Sequence, residues 1–192
     1  VSMGNMAEIA PMSPMGGTNY DIWSQLPAEK NLLDTQYELV DGRFPESHDE
    51  VVIITDGNGT ISDYALYALG LLDQSELKDM LKSAMNGEEL EAKEIMKYSY
   101  DDLMKLKFKL LLNTDYYEKD KNGIWKDMSD DEDYILNKLQ DALEIKVVGI
   151  IRQKSGSSSS SVAAYGGVGY STDLTKYAVE TIQESEIVKE QM

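Results

Sequence analysis

Glu50-Val-Val-Ile-Ile-Thr55 is the stretch that decides the fold, because it is a β-branched run between an acidic turn and a glycine-rich turn. Such a run is typical of a strand that is buried on both faces. Ile145-Lys-Val-Val-Gly-Ile-Ile151 is also rich in β-branched residues and is the strongest strand signal in the chain. These two segments therefore predict buried strands.

Weaker strand signals and several helical patterns surround these two segments. Strands are predicted over 37–42, 108–112 and 162–170, with a hairpin turn at Asp120-Lys-Asn-Gly123. Helices are predicted over 64–72, 75–87, 129–143 and 172–182, with a further helical turn over 100–106. The capping box Ser129-Asp-Asp-Glu132 and the cap residue Thr172 mark the starts of the last two helices. The order of elements indicates an α+β fold, a mixed β-sheet core packed with helices, with a helical insertion at about 62–106.

The domain organisation follows from the composition along the chain. Residues 1–22 contain prolines and glycines without a hydrophobic period, which predicts a flexible leading segment. Residues 23–192 are then predicted to form a single α+β domain. Within it, residues 155–161 consist of Ser and Gly, which predicts a mobile loop.

The composition excludes several classes of function. The chain has 35 acidic and 18 basic residues and a formal net charge of -17, so nucleic acid and acidic membrane surfaces are poor partners. It has no cysteine, which excludes disulfides, thiolate zinc sites, iron–sulfur clusters and cysteine nucleophiles. No apolar run approaches the about 20 residues that a membrane span needs. The residues therefore describe a soluble protein or the soluble part of a larger one.

Asp56-Gly-Asn-Gly-Thr-Ile is similar to the middle of an EF-hand calcium loop. When Gly59 is placed at the sixth loop position, the first and twelfth positions fall on Ile54 and Ala65, whose side chains have no oxygen. The bidentate carboxylate that closes an EF-hand is therefore missing. We interpret the motif as a tight turn after the strand, in which glycine supplies a positive φ angle.

Methionines and acidic residues provide two further metal hypotheses. Thioethers are soft ligands that suit monovalent copper, and the leading segment contains Met3, Met6, Met12 and Met15. No histidine or cysteine lies beside them, and methionine is also a flexible apolar filler. The acidic cluster at Asp127 and residues 130–133 is a second hypothesis, for a divalent cation, although helix capping accounts for most of it.

No catalytic constellation is visible in the sequence. His48 is the only histidine and lies in the acidic segment Pro45-Glu-Ser-His-Asp-Glu50, which indicates an exposed surface residue. The serines around it lack a nucleophile-elbow pattern, so a Ser–His–acid triad is not predicted. Gly166-Gly-Val-Gly169 lacks the spacing of a nucleotide-binding loop. We therefore predict no catalytic, cofactor-binding or metal-binding residues, and no enzyme.

Several blocks of the chain together resemble one family of membrane proteins. The blocks are Trp23-Ser-Gln-Leu-Pro27, Tyr37-Glu-Leu-Val-Asp-Gly-Arg-Phe-Pro-Glu46, Asp49-Glu-Val-Val-Ile-Ile54, Ile61-Ser-Asp-Tyr-Ala-Leu-Tyr-Ala-Leu-Gly-Leu71, Asn113-Thr-Asp-Tyr-Tyr117, Trp125-Lys-Asp-Met-Ser129, Lys146-Val-Val-Gly-Ile-Ile-Arg152 and Gly169-Tyr-Ser-Thr-Asp-Leu-Thr175. In this order they resemble the extracytoplasmic domain of MacB/FtsX-type ABC transporter permeases, above all those of Clostridia-like Gram-positive bacteria. The Gly-Arg-x-Pro-Glu turn is the most specific part of the likeness.

The resemblance implies a MacB-like periplasmic core domain on the outer side of the cell membrane. Permeases of this family have membrane helices, act as dimers and are driven by a cytoplasmic ABC ATPase. They pass ATP-driven motion to their outer domains, and they export peptides, antibiotics or lipoproteins or regulate the envelope. The partners implied are therefore the parent permease's membrane helices, the ATPase, a second permease copy and a peptide or envelope protein. In that picture Gly42, Arg43 and Pro45 fix the turn between two strands.

Two other hypotheses remain open at this stage. The chain is alternatively a free-standing secreted binding module for a peptide, metal or glycan. The third hypothesis is a hydrolase that uses acidic residues, with a cation at Asp56 or at the Asp130 cluster.

Overall fold

A computed structural model describes residues 22–61, 65–66, 69, 71, 99–154 and 166–191 of the chain. The predicted leading segment, apart from Ile22, lies outside these residues, and so does the Ser/Gly loop at 155–161. Most of the helical insertion also lies outside them, including the helix predicted over 75–87.

Strands and helices share the described part of the chain. The strands are β1 (Trp23–Gln25), β2 (Tyr37–Gly42), β3 (Glu50–Thr55), β4 (Lys107–Leu110), β5 (Tyr117–Lys119), β6 (Trp125–Asp127), β7 (Leu143–Gln153) and β8 (Gly167–Tyr170). The helices are α1 (Lys30–Gln36), α2 (Tyr100–Leu103), α3 (Glu132–Asp141), α4 (Thr172–Glu184) and α5 (Glu186–Lys189), with a 3-10 helix at Asn113–Tyr116.

Six strands form one mixed sheet in which β1, β8, β3, β7 and β2 are neighbours in that order. β3 is parallel to β7 and antiparallel to β8, while β1 is parallel to β8. β7 has two antiparallel partners along one side, because β4 pairs with its first half and β2 with its second half. The mixed sheet and its helices confirm the predicted α+β fold class.

β3 is the centre of the hydrophobic core, as its sequence predicts. Residues 51–54 are completely inaccessible to solvent. Because strand side chains alternate between the two faces of a sheet, neighbouring residues of β3 enter different apolar clusters. Ile53 packs in a cluster with Ile150, and Ile54 packs in a second cluster with Ile151. Both faces of β3 are therefore buried.

Two helices begin at residues other than those predicted. The carboxylate of Asp131, not Ser129, caps α3 by accepting a hydrogen bond of 3.0 Å from the backbone N–H of Tyr134. An aspartate at this position also interacts favourably with the positive end of the helix dipole. α4 begins after Ser171 rather than after Thr172.

The lengths of α3, β7 and β4 also differ from the prediction, and strand pairing is the reason. α3 ends at Asp141, and Leu143, which was predicted as helical, is the first residue of β7. β7 is longer than the predicted segment at 145–151 because β4 and β2 give both of its ends a hydrogen-bonding partner. Leu136 on the apolar stripe of α3 is 60% exposed, so that stripe is only partly buried. β4 ends at Leu110, where its pairing with β7 ends, instead of at residue 112.

Candidate functional site

The connection from β2 to β3 passes directly over β7, and we call residues 42–50 together with Gly149 the crossover. Gly42 has a φ of 69°, and a Cβ atom there would lie 2.3 Å from the carbonyl oxygen of Val148. A Cβ atom on Gly149 would lie 2.2 Å from the carbonyl oxygen of Arg43. Distances this short are far below van der Waals contact, so the two glycines let two backbones approach each other.

An ion pair closes the crossover. The guanidinium of Arg43 donates two hydrogen bonds to the carboxylate of Glu50, with N–O distances of 2.7 and 2.5 Å. The same carboxylate accepts a hydrogen bond of 3.0 Å from the backbone N–H of Glu46. Because of the bonds from Arg43, the pKa of Glu50 is below its ordinary value. A two-point pair of this kind fixes orientation as well as distance.

A second set of contacts ties the crossover to β7. The backbone N–H of Lys146 donates to the carbonyl oxygen of Asp49 at 2.8 Å, and its ammonium lies 3.3 Å from the Asp49 carboxylate. Ser47 donates a hydrogen bond of 2.5 Å to that carboxylate. This bond is the main reason that the pKa of Asp49 is lowered, and Lys146 adds to the effect. The crossover is therefore held at both ends.

His48 is half-buried in the crossover, and the prediction of an exposed surface histidine is wrong. Its ring stacks on the ring of Tyr177 in α4, with centroids 4.5 Å apart and planes 12° apart. The hydroxyl of Ser47 is bonded to Asp49 and not to the imidazole. A nucleophilic serine needs a histidine base within hydrogen-bond reach, so this neighbourhood does not assemble a triad.

The glycine-rich sequence after β3 forms a turn that uses the Asp56 carboxylate internally. One carboxylate oxygen accepts hydrogen bonds from the backbone N–H groups of Asn58 and Thr60, at 2.9 and 2.8 Å. The other accepts one from the Thr60 hydroxyl at 2.7 Å, and Gly59 has a φ of 78°. These contacts fit the interpretation as a tight turn rather than a calcium loop.

The acidic residues at 127–133 border an open surface groove of about 570 Å³. Two of them have structural roles, since Asp127 accepts a hydrogen bond of 2.9 Å from the backbone N–H of Ser129 and Asp131 caps α3. Within the described residues, no three acidic or histidine side chains come together in an arrangement that could hold a metal ion. The methionines of the copper hypothesis lie outside the described residues.

The segment Gly166–Gly169 contributes to the sheet, since β8 lies between β1 and β3. A Cβ atom on Gly169 would lie 2.8 Å from the side chain of Leu26. A larger residue at this position would therefore force the side chain of Leu26 to shift.

The contact between Arg43 and Gly149 is the feature that the sequence did not predict. The only signal was a glycine inside an otherwise β-branched strand, which often marks the close approach of another backbone. The stacking of His48 on Tyr177 had no sequence signal, because the two residues are 129 positions apart in the chain.

No family model, curated protein or solved structure matches this chain. Among the described residues, no helix has both the length and the apolar character needed to cross a membrane.

Proposed function

We propose that this chain is the extracytoplasmic domain of an ABC transporter permease of the MacB/FtsX type. In this proposal the domain lies on the outer side of the cell membrane and is not an enzyme. It transmits ATP-driven motion, or docks a substrate or partner, during export of a peptide, antibiotic or lipoprotein or during envelope regulation.

The observation that carries the proposal is that separate sequence blocks of the resemblance meet at the crossover. The block that ends at Glu46, the block that begins at Asp49 and the block that begins at Lys146 all contribute atoms to it. A domain that passes on motion must resist deformation between its elements. Close backbone contact and a two-point ion pair supply that resistance, since packed interiors have low compressibility.

The partners in this proposal are the membrane helices of the parent permease and a cytoplasmic ABC ATPase. The other proposed partners are a second permease copy and a peptide or envelope protein. Nucleic acid is not among them, because a net charge of -17 repels phosphate backbones.

The test begins with the parent reading frame, which should encode apolar segments of about 20 residues on the flanks of this domain. A frame with a cleavable signal and no such segment would instead support a free-standing secreted module. In the parent transporter, reversing one charge with Arg43→Glu should abolish transport-dependent resistance or export. Restoring the pair with Glu50→Arg should recover at least part of it.

The control for the charge reversal is the exposed pair Lys30 and Asp34 in α1, whose atoms lie 3.2 Å apart. Lys30→Glu should leave transport unchanged, since exposed pairs of this type contribute little to stability. Equal loss of transport from both reversals, or unchanged transport with Arg43→Glu at normal membrane abundance, would contradict the proposed role of the crossover.

A further inference from the structure

A cavity of about 240 Å³ lies where β4 and β7 meet α3 and α4. Its apolar wall includes Leu110 and Leu143, which are directly paired across β4 and β7, and the side chain of Tyr177. The ring of Tyr177 is held in place by its stacking on His48. Pockets for drug-sized ligands have volumes of about 300–1,000 Å³. This cavity therefore suits a small molecule or a single side chain.

Polar groups with free hydrogen-bonding capacity, as far as the described residues show, line the same cavity. Among the described residues, the carboxylate of Asp141, which is exposed, makes no hydrogen bond or ion pair, and the hydroxyl of Thr181, which is half-buried, makes no hydrogen bond. Asp115 accepts a hydrogen bond of 2.7 Å from the backbone N–H of Leu112 with one carboxylate oxygen, and its other oxygen has no partner in the described part of the chain. An apolar pocket with a few convergent polar groups is the usual form of a ligand site.

The charges of the cavity favour a cation. Two carboxylates line it, against one ammonium, that of Lys138, which lies 5.4 Å from the centre of the Tyr134 ring. Asp141 is the last residue of α3, where the helix dipole is also negative. Ala142 follows this helix and also lines the cavity, and its carbonyl oxygen accepts a hydrogen bond of 3.0 Å from the ammonium of Lys109, so a second cation already lies at the edge of the cavity.

From this geometry we propose that the cavity binds a primary ammonium group carried on a short apolar chain. The apolar wall receives the chain, and the carboxylates of Asp141 and Asp115 and the hydroxyl of Thr181 accept the three N–H donors of the ammonium. The net charge of -17 also attracts cations to the surface of the protein. The proposal does not depend on whether the domain belongs to a permease.

The test is an NMR titration of the full chain with n-butylammonium, with butyrate as the anionic probe of similar size. Butylammonium should cause saturable shifts in the amides of residues 110–112 and 141–143, and butyrate should not. The affinity should fall at high salt, because ion pairing near the surface is screened. The ammonium group could come from a lysine of a partner protein or from a free amine, and an acetylated and amidated Gly-Lys-Gly peptide distinguishes the two. A site for a partner's lysine binds the peptide, and a site for free amines does not.

Two substitutions change the charge of the cavity in opposite directions. Asp141→Asn should weaken the binding of butylammonium by about two- to fivefold, the effect of one partly exposed ion pair. Lys138→Gln should strengthen it by a similar factor, because it removes a competing cation. Asp130→Asn changes the net charge equally outside the cavity and should leave the affinity unchanged.

Several results would overturn the proposal. They are no saturable shift with butylammonium, equal shifts with butyrate, weaker binding in Lys138→Gln, or the same loss in Asp130→Asn as in Asp141→Asn. Asp141→Asn should remain folded, since it removes a negative charge from the negative end of a helix. Its amide spectrum without ligand checks this directly.

Discussion

Two turns of this protein have the same sequence pattern, Asp-x-Asn-Gly, and the same hydrogen bonds, but they lie in different surroundings. In both, the aspartate carboxylate accepts hydrogen bonds from the backbone N–H groups two and four residues later. In both, the glycine has a positive φ, 78° at Gly59 and 81° at Gly123. The turn at 56–60 follows β3, whereas the turn at 120–124 joins β5 and β6 in a separate two-stranded sheet.

The surroundings of each turn determine how much it contributes to the stability of the fold. Before the first turn, Ile54 is completely buried in the central sheet, whereas Ile124 at the end of the second turn is 60% exposed. Surface contacts of Lys119 and Trp125 attach the hairpin of the second turn to Glu190, the residue that follows α5. A four-residue motif therefore determines the shape of a turn, and long-range packing determines whether the whole fold depends on it.

The largest difference should come from truncating Ile54, two residues before the first turn, and Ile124, the last residue of the second. Ile54→Ala should lower the free energy of unfolding by about 2–5 kcal/mol, because it leaves a cavity in the core. Ile124→Ala should change it by no more than about 0.5 kcal/mol, as is usual at exposed positions. Chemical denaturation of both variants measures the difference, and similar losses would show that the hairpin is part of the same cooperative core.

The next largest effect should come from adding a side chain at each turn glycine. Gly59→Ala and Gly123→Ala each force an L-residue into the left-handed region, at a cost of about 1–2 kcal/mol. The cost should be larger at Gly59, where the new Cβ would lie 3.2 Å from the Tyr100 hydroxyl, than at Gly123, where its nearest neighbour is 3.9 Å away.

The two glycine variants should also differ in which part of the protein becomes less stable. Gly59→Ala should lower the global stability, while Gly123→Ala should mainly increase amide exchange in β5 and β6, since small peripheral units open locally. Hydrogen exchange measures both. Faster exchange in β3 of the Gly123→Ala variant would contradict this separation.

The smallest effect concerns pH. Burial alone would raise the pKa of Asp56, but hydrogen bonds from Thr60 and Asn58 outweigh it and hold the pKa below its ordinary value. Hydrogen bonds from the backbone of Ile124 and Asn122 lower the pKa of Asp120. A carboxyl with a lower pKa in the folded state stabilises the fold above its unfolded pKa of about 4, and this contribution is lost as the pH falls through the folded value.

Acid unfolding of three variants tests this linkage. Asp56→Asn should make the free energy of unfolding fall less steeply below about pH 4. The change in slope should be smaller than about 1.4 kcal/mol per pH unit, the value for one whole proton. Asp120→Asn should change the pH dependence of the global free energy of unfolding less, because its turn belongs to the hairpin. The control is Asp130→Asn, whose carboxylate accepts no hydrogen bond from the described residues. An unchanged acid slope in Asp56→Asn would show that its turn bonds are not lost on unfolding.

Local sequence signals predicted the elements whose conformation depends on near neighbours. The β-branched run of β3, the Asn-Gly turn before β6 and the helical turn that begins at Tyr100 are all present where expected. The boundaries of α3 and β7 were predicted less well, because Leu143 satisfies both a helical stripe and a strand. Pairing with Leu110 of β4, 33 residues earlier in the chain, decides that it is a strand residue.

The candidate site could be predicted only in part. The glycine–arginine turn after β2 was visible in the sequence, but its partner Gly149 and the cavity beside Asp141 were not. The amino-acid sequence alone determined the net charge, which follows from the composition. It also determined the fold class and the two Asp-x-Asn-Gly turns, since these follow from patterns among residues close together in the chain. The tertiary structure alone decided the crossover, the His48–Tyr177 stacking and the cavity, because each joins residues far apart in the chain, and their encounter depends on how the sheet pairs.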